Sequence, residues 1–210
     1  MVQSRTHTCG ELRMEHVGQT VTLAGFLENV REVGQNLAFV VLRDFYGTTQ
    51  VVIETAEMMA IVKDLNKEST LQVTGVVRER DSKNPKLPTG DIEVVPSAIT
   101  VLGRCRHNEL PFPISRSREA DETQRLKYRY LDLRNPEVKN NIILRCNVVS
   151  ALRQAMTAEG FMEITTPILT ASSPEGARDY QVPSRKHPGK IYALPQAPHQ
   201  VKQLLMASGF

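Results

Sequence analysis

The stretch VTLAGFLENVREVGQNLAFVVLRDFYGTTQVVI, residues 21–53, decides the fold of the first half of the chain. It contains three runs rich in β-forming residues, Val21–Leu27, Asn36–Asp44 and Thr48–Ile53. A Gly-Gln-Asn turn signal precedes the second run and a Tyr-Gly turn precedes the third. The stretch therefore predicts three successive strands joined by short connections.

The residues that follow continue this pattern. Ala56–Asp64 has helical composition, while Thr70–Val77 and Ile92–Leu102 predict two more strands, with Pro96 marking a break or an edge position in the last. Three strands, a helix and two strands within roughly 100 residues are typical of an OB-fold, a five-stranded Greek-key barrel that often binds oligonucleotides. The pattern also leaves open an SH3-like or other small barrel without a ligand.

The second half of the chain changes from strand to helix periodicity. Residues 107–121, which contain Pro, Ser and many charges, predict a linker, and Thr123–Leu131 has helical character. Asn135 and Pro136 are a helix N-cap and a first helical residue, and Gly160 suits the position after the helix end. About 24 helical residues would span about 36 Å, which suggests a helix lying along a sheet or across a subunit boundary.

Apolar residues recur along this long helix at spacings of three and four, which predicts one buried stripe. The stripe consists of Ile142, Cys146, Val149, Leu152 and Met156. Beyond Gly160 the sequence predicts a short strand over residues 161–167, further strands over 180–182 and 190–194, and a helix after Pro198.

Composition and charge restrict the classes of function. The net charge is +3, but residues 1–107 carry 12 Lys and Arg against 13 Asp and Glu, and residues 108–210 carry 14 against 10. The first half is therefore not a general polyanion binder, so any nucleic acid must be held by local contacts. The three cysteines have neither metal-ligand nor disulfide spacing, and no apolar run is long enough to span a bilayer. With no apolar segment typical of a secretion signal at the start, we expect a cytoplasmic location.

Several motifs in fixed order resemble one family. Gly160–Pro167 (GFMEITTP) resembles motif 1 of the class II aminoacyl-tRNA synthetases. Leu126–Pro136 (LKYRYLDLRNP) resembles the segment that precedes motif 1 in the aspartyl, asparaginyl and lysyl subgroup. Ser173–Tyr180 (SPEGARDY), and Tyr192–Pro198 (YALPQAP) followed by Lys202–Leu205 (KQLL), are similar to the aspartyl-tRNA synthetases of bacteria and mitochondria. The resemblance covers essentially the whole chain. It implies an α+β multidomain protein: an N-terminal OB-fold barrel (1–106), a linker (107–121) and the first part of a class II antiparallel-sheet catalytic domain (122–210).

The resemblance also assigns an aspartate-binding segment. In the family, the residue at Lys202 contacts the substrate carboxylate, and a compact ammonium suits that task. Glu175 suits capture of the substrate ammonium or closure of a loop. His199 stands where the family usually has glutamine, and Val201 where it has an aromatic or large apolar residue; a neutral imidazole lacks the paired donor and acceptor of an amide. Gln196 and Gln200 complete the implied set.

The family resemblance implies that the barrel binds the tRNA anticodon. Phe39 matches the aromatic residue that stacks on an anticodon base, although a core position is an equally ordinary reading of a strand phenylalanine. Gln50 matches the residue that reads the central base through its edge. Arg31 and Arg78 are expected to contact phosphates or bases, and Glu93 to accept from a base amino group. The family often has a run of arginines where this chain has only Arg31.

The remaining implications concern the reaction and the partners. The family joins L-aspartate to tRNA-Asp with ATP and Mg²⁺, and it forms homodimers through the motif 1 helix, with Pro167 at the interface. Motifs 2 and 3, which hold ATP, do not occur in these 210 residues, and no Gly-rich phosphate loop replaces them. We therefore expect no cofactor and no ligase activity for this chain alone. A stand-alone OB-fold RNA binder and a ligase that also charges tRNA-Asn are the alternatives.

Overall fold

A computed structural model describes residues 4–34, 36–172, 179–194 and 199–210. The chain divides into two compact units, residues 1–128 and 129–210. The domain boundaries expected from the sequence stay predictions.

The first unit is a closed five-stranded barrel, which confirms the predicted OB-fold. Its strands are β1 (Thr20–Glu32), β2 (Ala38–Arg43), β3 (Thr48–Ile53), β4 (Thr70–Glu79) and β5 (Ile92–Gly103), in the order β1-β2-β3-β5-β4. Neighbouring strands are antiparallel except β3 and β5, which are parallel. Helix α1 (Ala56–Val62) connects β3 to β4, and the Thr55 side chain caps it by accepting from the Met58 amide.

Side-chain alternation along the strands fills the barrel. On β2, for example, Ala38, Val40 and Leu42 are buried while the residues between them are half-exposed. Period-two alternation is what a sheet with one packed face requires, and it gives the barrel a continuous aliphatic core with a separate outer face.

Pro96 lies inside β5 without ending it. The proline is opposite Gly75 of β4, and the β4–β5 register shifts between Thr74 and Gly75. A bulge at this point accommodates a residue that cannot donate to the ladder. The predicted irregularity is thus a bulge within one long strand.

The amino-terminal segment is fastened to the turn between β2 and β3. The Cys9 amide donates to Asp44 Oδ2 at 2.9 Å, and the Thr49 hydroxyl donates to the Cys9 carbonyl at 2.6 Å. Asp44 Oδ1 also accepts from the Tyr46 and Gly47 amides, so one carboxylate closes the turn and holds the segment. Cys9 itself is fully buried.

Burial raises the pKa of the Cys9 thiol, and the neighbouring Asp44 carboxylate raises it further. Above the unfolded pKa of about 8.5, the folded chain keeps a proton that the unfolded chain loses. The contribution of Cys9 to stability is therefore full below about pH 8.5 and declines as the pH rises toward the folded pKa.

Between pH 8 and pH 10, we expect the wild-type chain to lose about 2 kcal/mol more unfolding free energy than Cys9→Ala in urea titrations. Cys146→Ala, at an exposed position, should follow the wild type, and equal losses in all three proteins would contradict the prediction.

After the barrel, residues Ile114–Glu119 form a 3-10 helix, and α2 (Glu122–Lys127) completes the first unit. The second unit begins with α3 (Arg129–Asp132). The helical character predicted over Thr123–Leu131 agrees with α2 and α3, which are separated at Tyr128, where the backbone angles (φ −110°, ψ 44°) are non-helical.

The long helix α4 (Pro136–Ala158) begins and ends where the sequence predicts. The Asn135 side chain accepts from the Glu137 and Val138 amides, and Gly160 has a φ of +86°, the left-handed conformation that follows many helices. The helix is followed by β6 (Tyr180–Pro183), its antiparallel partner β7 (Ile191–Leu194) and α5 (His199–Ala207).

Two predictions for this unit are wrong. The apolar stripe of α4 is exposed instead of buried: Leu152 is 62% and Met156 49% accessible. Residues 161–167 form no strand, because none of the strands in the described parts of the chain pairs with them. The residue pattern is present in both cases. The α4 stripe is accessible in the single chain, and residues 161–167 contact α4 instead of a strand, with Arg153 Nε donating to Glu163 Oε1 at 2.8 Å.

The helices in the described ranges include none that is both long and apolar enough to cross a membrane.

Candidate nucleic-acid interface

A concave groove of about 720 Å³ lies on the outer face of the barrel. Strands β1, β2 and β3 form its floor, and residues 80–89, between β4 and β5, contribute to its rim. All five residues predicted to contact the anticodon line this groove: Arg31, Phe39, Gln50, Arg78 and Glu93. Although these residues are far apart in the chain, the barrel brings them onto one surface.

Strand register explains why these residues meet. Arg31 on β1 is directly opposite Phe39 on β2, and Arg78 on β4 is directly opposite Glu93 on β5. The parallel pairing of Val51 with Val94 places β3 beside β5, which brings the side chain of Gln50 to Glu93. Cross-strand neighbours of this kind have Cβ atoms about 5 Å apart, within reach of direct contact.

Glu93 is the centre of a hydrogen-bonded network. Gln50 Nε2 donates to Glu93 Oε2 at 3.0 Å, and Arg78 donates to Glu93 Oε1 from Nε at 3.1 Å and from Nη2 at 2.7 Å. The Glu93 side chain is only 6% exposed. Its oxygens thus accept mainly from the protein, and its evident role is to orient Gln50 and Arg78. The expected direct contact between Glu93 and a base amino group stays a prediction.

Glu54 is a groove residue that the sequence analysis missed. Arg78 Nη2 also donates to Glu54 Oε1 at 2.8 Å, so one guanidinium nitrogen serves two carboxylates. The residues Thr48, Gln50 and Val52 of β3 and then Glu54 all line the groove. Continuing the period-two alternation of β3 by one step would have found it.

The arginines of the groove differ in their surroundings. Hydrogen bonds to Glu54 and then to Glu93 raise the pKa of Arg78. Burial lowers the pKa of Arg80, whose Nε donates to the Ile92 carbonyl at 2.9 Å. Both guanidinium groups stay protonated, since their ordinary pKa exceeds about 12. Arg78 is therefore a surface cation held in place by carboxylates, and Arg80 is a largely buried structural cation.

Arg31 and Phe39 form a cation–π pair. The guanidinium carbon lies 4.9 Å from the ring centroid, and Phe39 is half-buried on the outer face and not in the core. In the described parts of the chain, Arg31 forms no ion pair with a carboxylate. Because the guanidinium lies over the ring, it covers that face of Phe39 in the free protein, and a base stacks either on the guanidinium plane or on the ring once Arg31 has moved aside.

The net charge of the groove is small. Four cationic side chains (Arg31, Arg78, Arg80 and Lys83) and three acidic ones (Glu54, Asp81 and Glu93) line it. Lys83 pairs with Glu79 at 2.7 Å. Attraction of a polyanion by overall charge is therefore weak, and recognition depends on the local contacts described above.

The residues predicted to bind aspartate are only partly described. Glu175 and Gln196 lie outside the described residues. His199, Gln200, Val201 and Lys202 occupy the first turn of α5. Lys202 lines a cavity of about 740 Å³ whose other lining residues are uncharged and mostly apolar, among them Phe161, Met162 and Leu205. The described residues place one cation at this cavity and do not complete an aspartate pocket.

No metal site accompanies these residues. Across the described ranges, no group of three or more His, Cys, Asp or Glu side chains is arranged to hold a metal ion. The Mg²⁺ that the family resemblance implies for the intact protein is therefore assigned to no residue here. Pro167, expected at a dimer interface, is exposed in the single chain, as is the α4 stripe.

Two family models match the chain, one over each half. A model described as "OB-fold nucleic acid binding domain" matches residues 21–102, and one described as "tRNA synthetases class II (D, K and N)" matches residues 121–210. The class of protein is therefore a nucleic-acid-binding barrel joined to the first part of a class II synthetase catalytic domain. More closely, the chain is similar along its whole length to curated aspartate–tRNA ligases.

Two curated relatives show the extent of the match. The aspartate–tRNA ligase of Streptomyces avermitilis is 53% identical over 214 aligned positions, which cover 100% of this chain and 36% of the relative. The aspartate–tRNA(Asp/Asn) ligase of Gluconobacter oxydans is 51% identical, covering 98% of this chain and 34% of the relative. The chain thus spans about a third of the length of the curated relatives it matches.

Solved structures confirm the fold. A putative aspartyl-tRNA synthetase from Leishmania major Friedlin aligns with a TM-score of 0.84 at 23% identity, covering 99% of this chain and 42% of that one. An asparaginyl-tRNA synthetase from Pyrococcus horikoshii complexed with asparaginyl-adenylate aligns with a TM-score of 0.82 at 24% identity, covering 99% and 46%.

Proposed function

We propose that this chain is the anticodon-binding and dimer-forming part of an aspartate–tRNA ligase. The observation that supports this most strongly is the groove that gathers Arg31, Phe39, Gln50, Arg78 and Glu93 on one face of the barrel. In the intact protein, the reaction would join L-aspartate to tRNA-Asp with consumption of ATP. The similarity to aspartate–tRNA ligases supports this reaction, and we propose a cytoplasmic location with it.

Gln50 would read the central anticodon base. Its Nε2 is bound to Glu93, which fixes the orientation of the amide and leaves Oε1 and the second N–H for a base edge. A fixed amide discriminates better than a free one, because its donor and acceptor already have one arrangement. Phe39 would stack on a base of the anticodon loop after Arg31, whose guanidinium lies over the ring in the free protein, moves aside.

The exposed stripe on α4 supports a second part of the proposal. Five apolar or sulfur-containing side chains repeat along one face of a helix that no described element covers. A second copy of the protein, packing through the same helix, would bury this face and Pro167 with it. This is the homodimer that the motif 1 resemblance implies.

Binding of an anticodon stem-loop tests the groove. A fluorescent tRNA-Asp stem-loop and one changed only at the central anticodon base should differ in affinity by about 5- to 150-fold, the range that one good bidentate contact gives. Gln50→Ala should reduce this ratio to about one, measured by anisotropy at two salt concentrations. The unchanged overall fold can be checked by circular dichroism.

Gln72→Ala is the matched control, because Gln72 lies on β4 outside the groove and its side chain donates to the Ser4 carbonyl. It should keep the wild-type ratio. Equal, strongly salt-dependent binding of both loops by the wild-type chain would sink the proposal and favour a barrel that retains only general RNA affinity.

A further inference from the structure

Arg78 is held between two carboxylates of different character. Glu93 is buried (6% of the side chain exposed) and binds both Nε and Nη2, whereas Glu54 is 41% exposed and binds Nη2 from the solvent side. Glu93 therefore fixes the direction of the guanidinium plane. Glu54 covers a donor that would otherwise face the groove.

A carboxylate in this position resembles the ligand that the groove is built for. Arg78 offers its donors to carboxylate oxygens with the same geometry that it would offer to a phosphate or a base oxygen of RNA. Glu54 and RNA therefore compete for the same nitrogen. Because both Glu54 and Arg78 are substantially exposed, their ion pair is weak, and RNA can displace Glu54 at small cost.

Resting on the proposed function, we propose that Glu54 is an internal competitor for RNA: it occupies Arg78 in the free protein and must leave when an acceptor oxygen of the RNA binds there. Every RNA that binds Nη2 of Arg78 meets the same competition, whatever its sequence. Glu54 thus lowers the affinity of the groove for RNA in general and leaves discrimination between bases to Gln50. The low net charge of the groove likewise lowers its affinity for RNA of any sequence.

Removing the competing charge should strengthen binding. Glu54→Gln is expected to raise the affinity for the native stem-loop about two- to fivefold, the range that an exposed ion pair supports. The affinity for the loop with a changed central base should rise by the same factor, so that their ratio is unchanged. If the oxygen bound by Arg78 is a phosphate, the dependence of log K on log salt should also become steeper by up to about one unit; a base oxygen would leave this slope unchanged.

Glu57→Gln is the matched control. Glu57 is an exposed acid in the first turn of α1, three positions further along the chain and outside the groove, and its substitution changes the net charge equally. The experiment uses the full chain and compares wild type, both single variants, Arg78→Ala and the double variant Glu54→Gln/Arg78→Ala. The gain from Glu54→Gln should vanish when Arg78 is absent.

Four outcomes would overturn the inference. An equal gain in Glu54→Gln and Glu57→Gln would reduce the effect to net charge, and a gain that persists without Arg78 would place the competition elsewhere. No gain at all, with normal central-base discrimination by the wild type, would reject the role of Glu54 and leave the proposed function intact. Absence of central-base discrimination in the wild type would instead reject the proposed function, and this inference with it.

Discussion

Replacing Gly75 with alanine should lower the unfolding free energy of the barrel by about 3 kcal/mol or more, among the larger effects of a single methyl group. A Cβ at this position would lie 2.2 Å from the Val95 carbonyl oxygen and 2.7 Å from Pro96 Cα. Both atoms belong to the backbone of the neighbouring strand, so no side-chain rotation relieves the overlap. The strands must separate at the bulge, which weakens the longest ladder of the barrel.

Urea unfolding followed by circular dichroism measures this loss, and the thermal midpoint should fall by about 12 °C or more. Gly34→Ala is the control, because nothing lies within 4 Å of a Cβ at that position. Its effect should stay within about 0.5–1 kcal/mol of the wild type. Equal stability of the two variants would show that the bulge adapts to a side chain at Gly75.

The barrel was predictable because its signals are local. Strand β3 has the bounds that its composition and its preceding Tyr-Gly turn predict, and α4 begins at the Asn135 cap and is followed by Gly160. Each of these features depends on residues within a few positions of one another. The five groove residues were found by resemblance, but strand pairing, which acts over long separations, explains why they meet.

The failures come from contacts between distant parts of the chain. The α4 stripe has the pattern of a buried face, yet burial needs a covering surface, and period alone does not supply one. Residues 161–167 have strand composition without a described ladder partner. Glu54 escaped notice because its meaning depends on Arg78, which lies 24 positions away in the sequence and across the barrel surface.

Glu68 is a further residue whose conformation the sequence does not suggest. It has a φ of +67° and is the single non-glycine residue with positive φ in the described ranges. The left-handed conformation costs an ordinary residue about 1 kcal/mol or more. An ion pair offsets this cost: Arg43 Nη2 binds Glu68 Oε1, and both side chains are largely buried, with 13% and 5% exposed.

Arg43→Ala should therefore destabilise the barrel by about 3–5 kcal/mol, the range for breaking a buried ion pair by removing one partner. The substitution leaves the Glu68 carboxylate buried without its guanidinium, and it also removes the 3.3 Å contact between Arg43 Nε and Glu28 Oε2. Urea unfolding gives the free energy directly. Arg31→Ala is the control, since that arginine is exposed, and it should cost about 1 kcal/mol or less.

The decisive comparison is with Glu68→Gly, alone and combined with Arg43→Ala. Glycine removes the carboxylate and also accepts the positive φ without strain, while Arg43 keeps Glu28 as a partner. Glu68→Gly should thus cost less than Arg43→Ala, and adding it to Arg43→Ala should restore part of the lost stability. A double variant less stable than Arg43→Ala would mean that Glu68 stabilises the barrel through contacts other than the ion pair. The order of the unfolding free energies of the three variants therefore separates the cost of the buried charge from the cost of the strained backbone at Glu68.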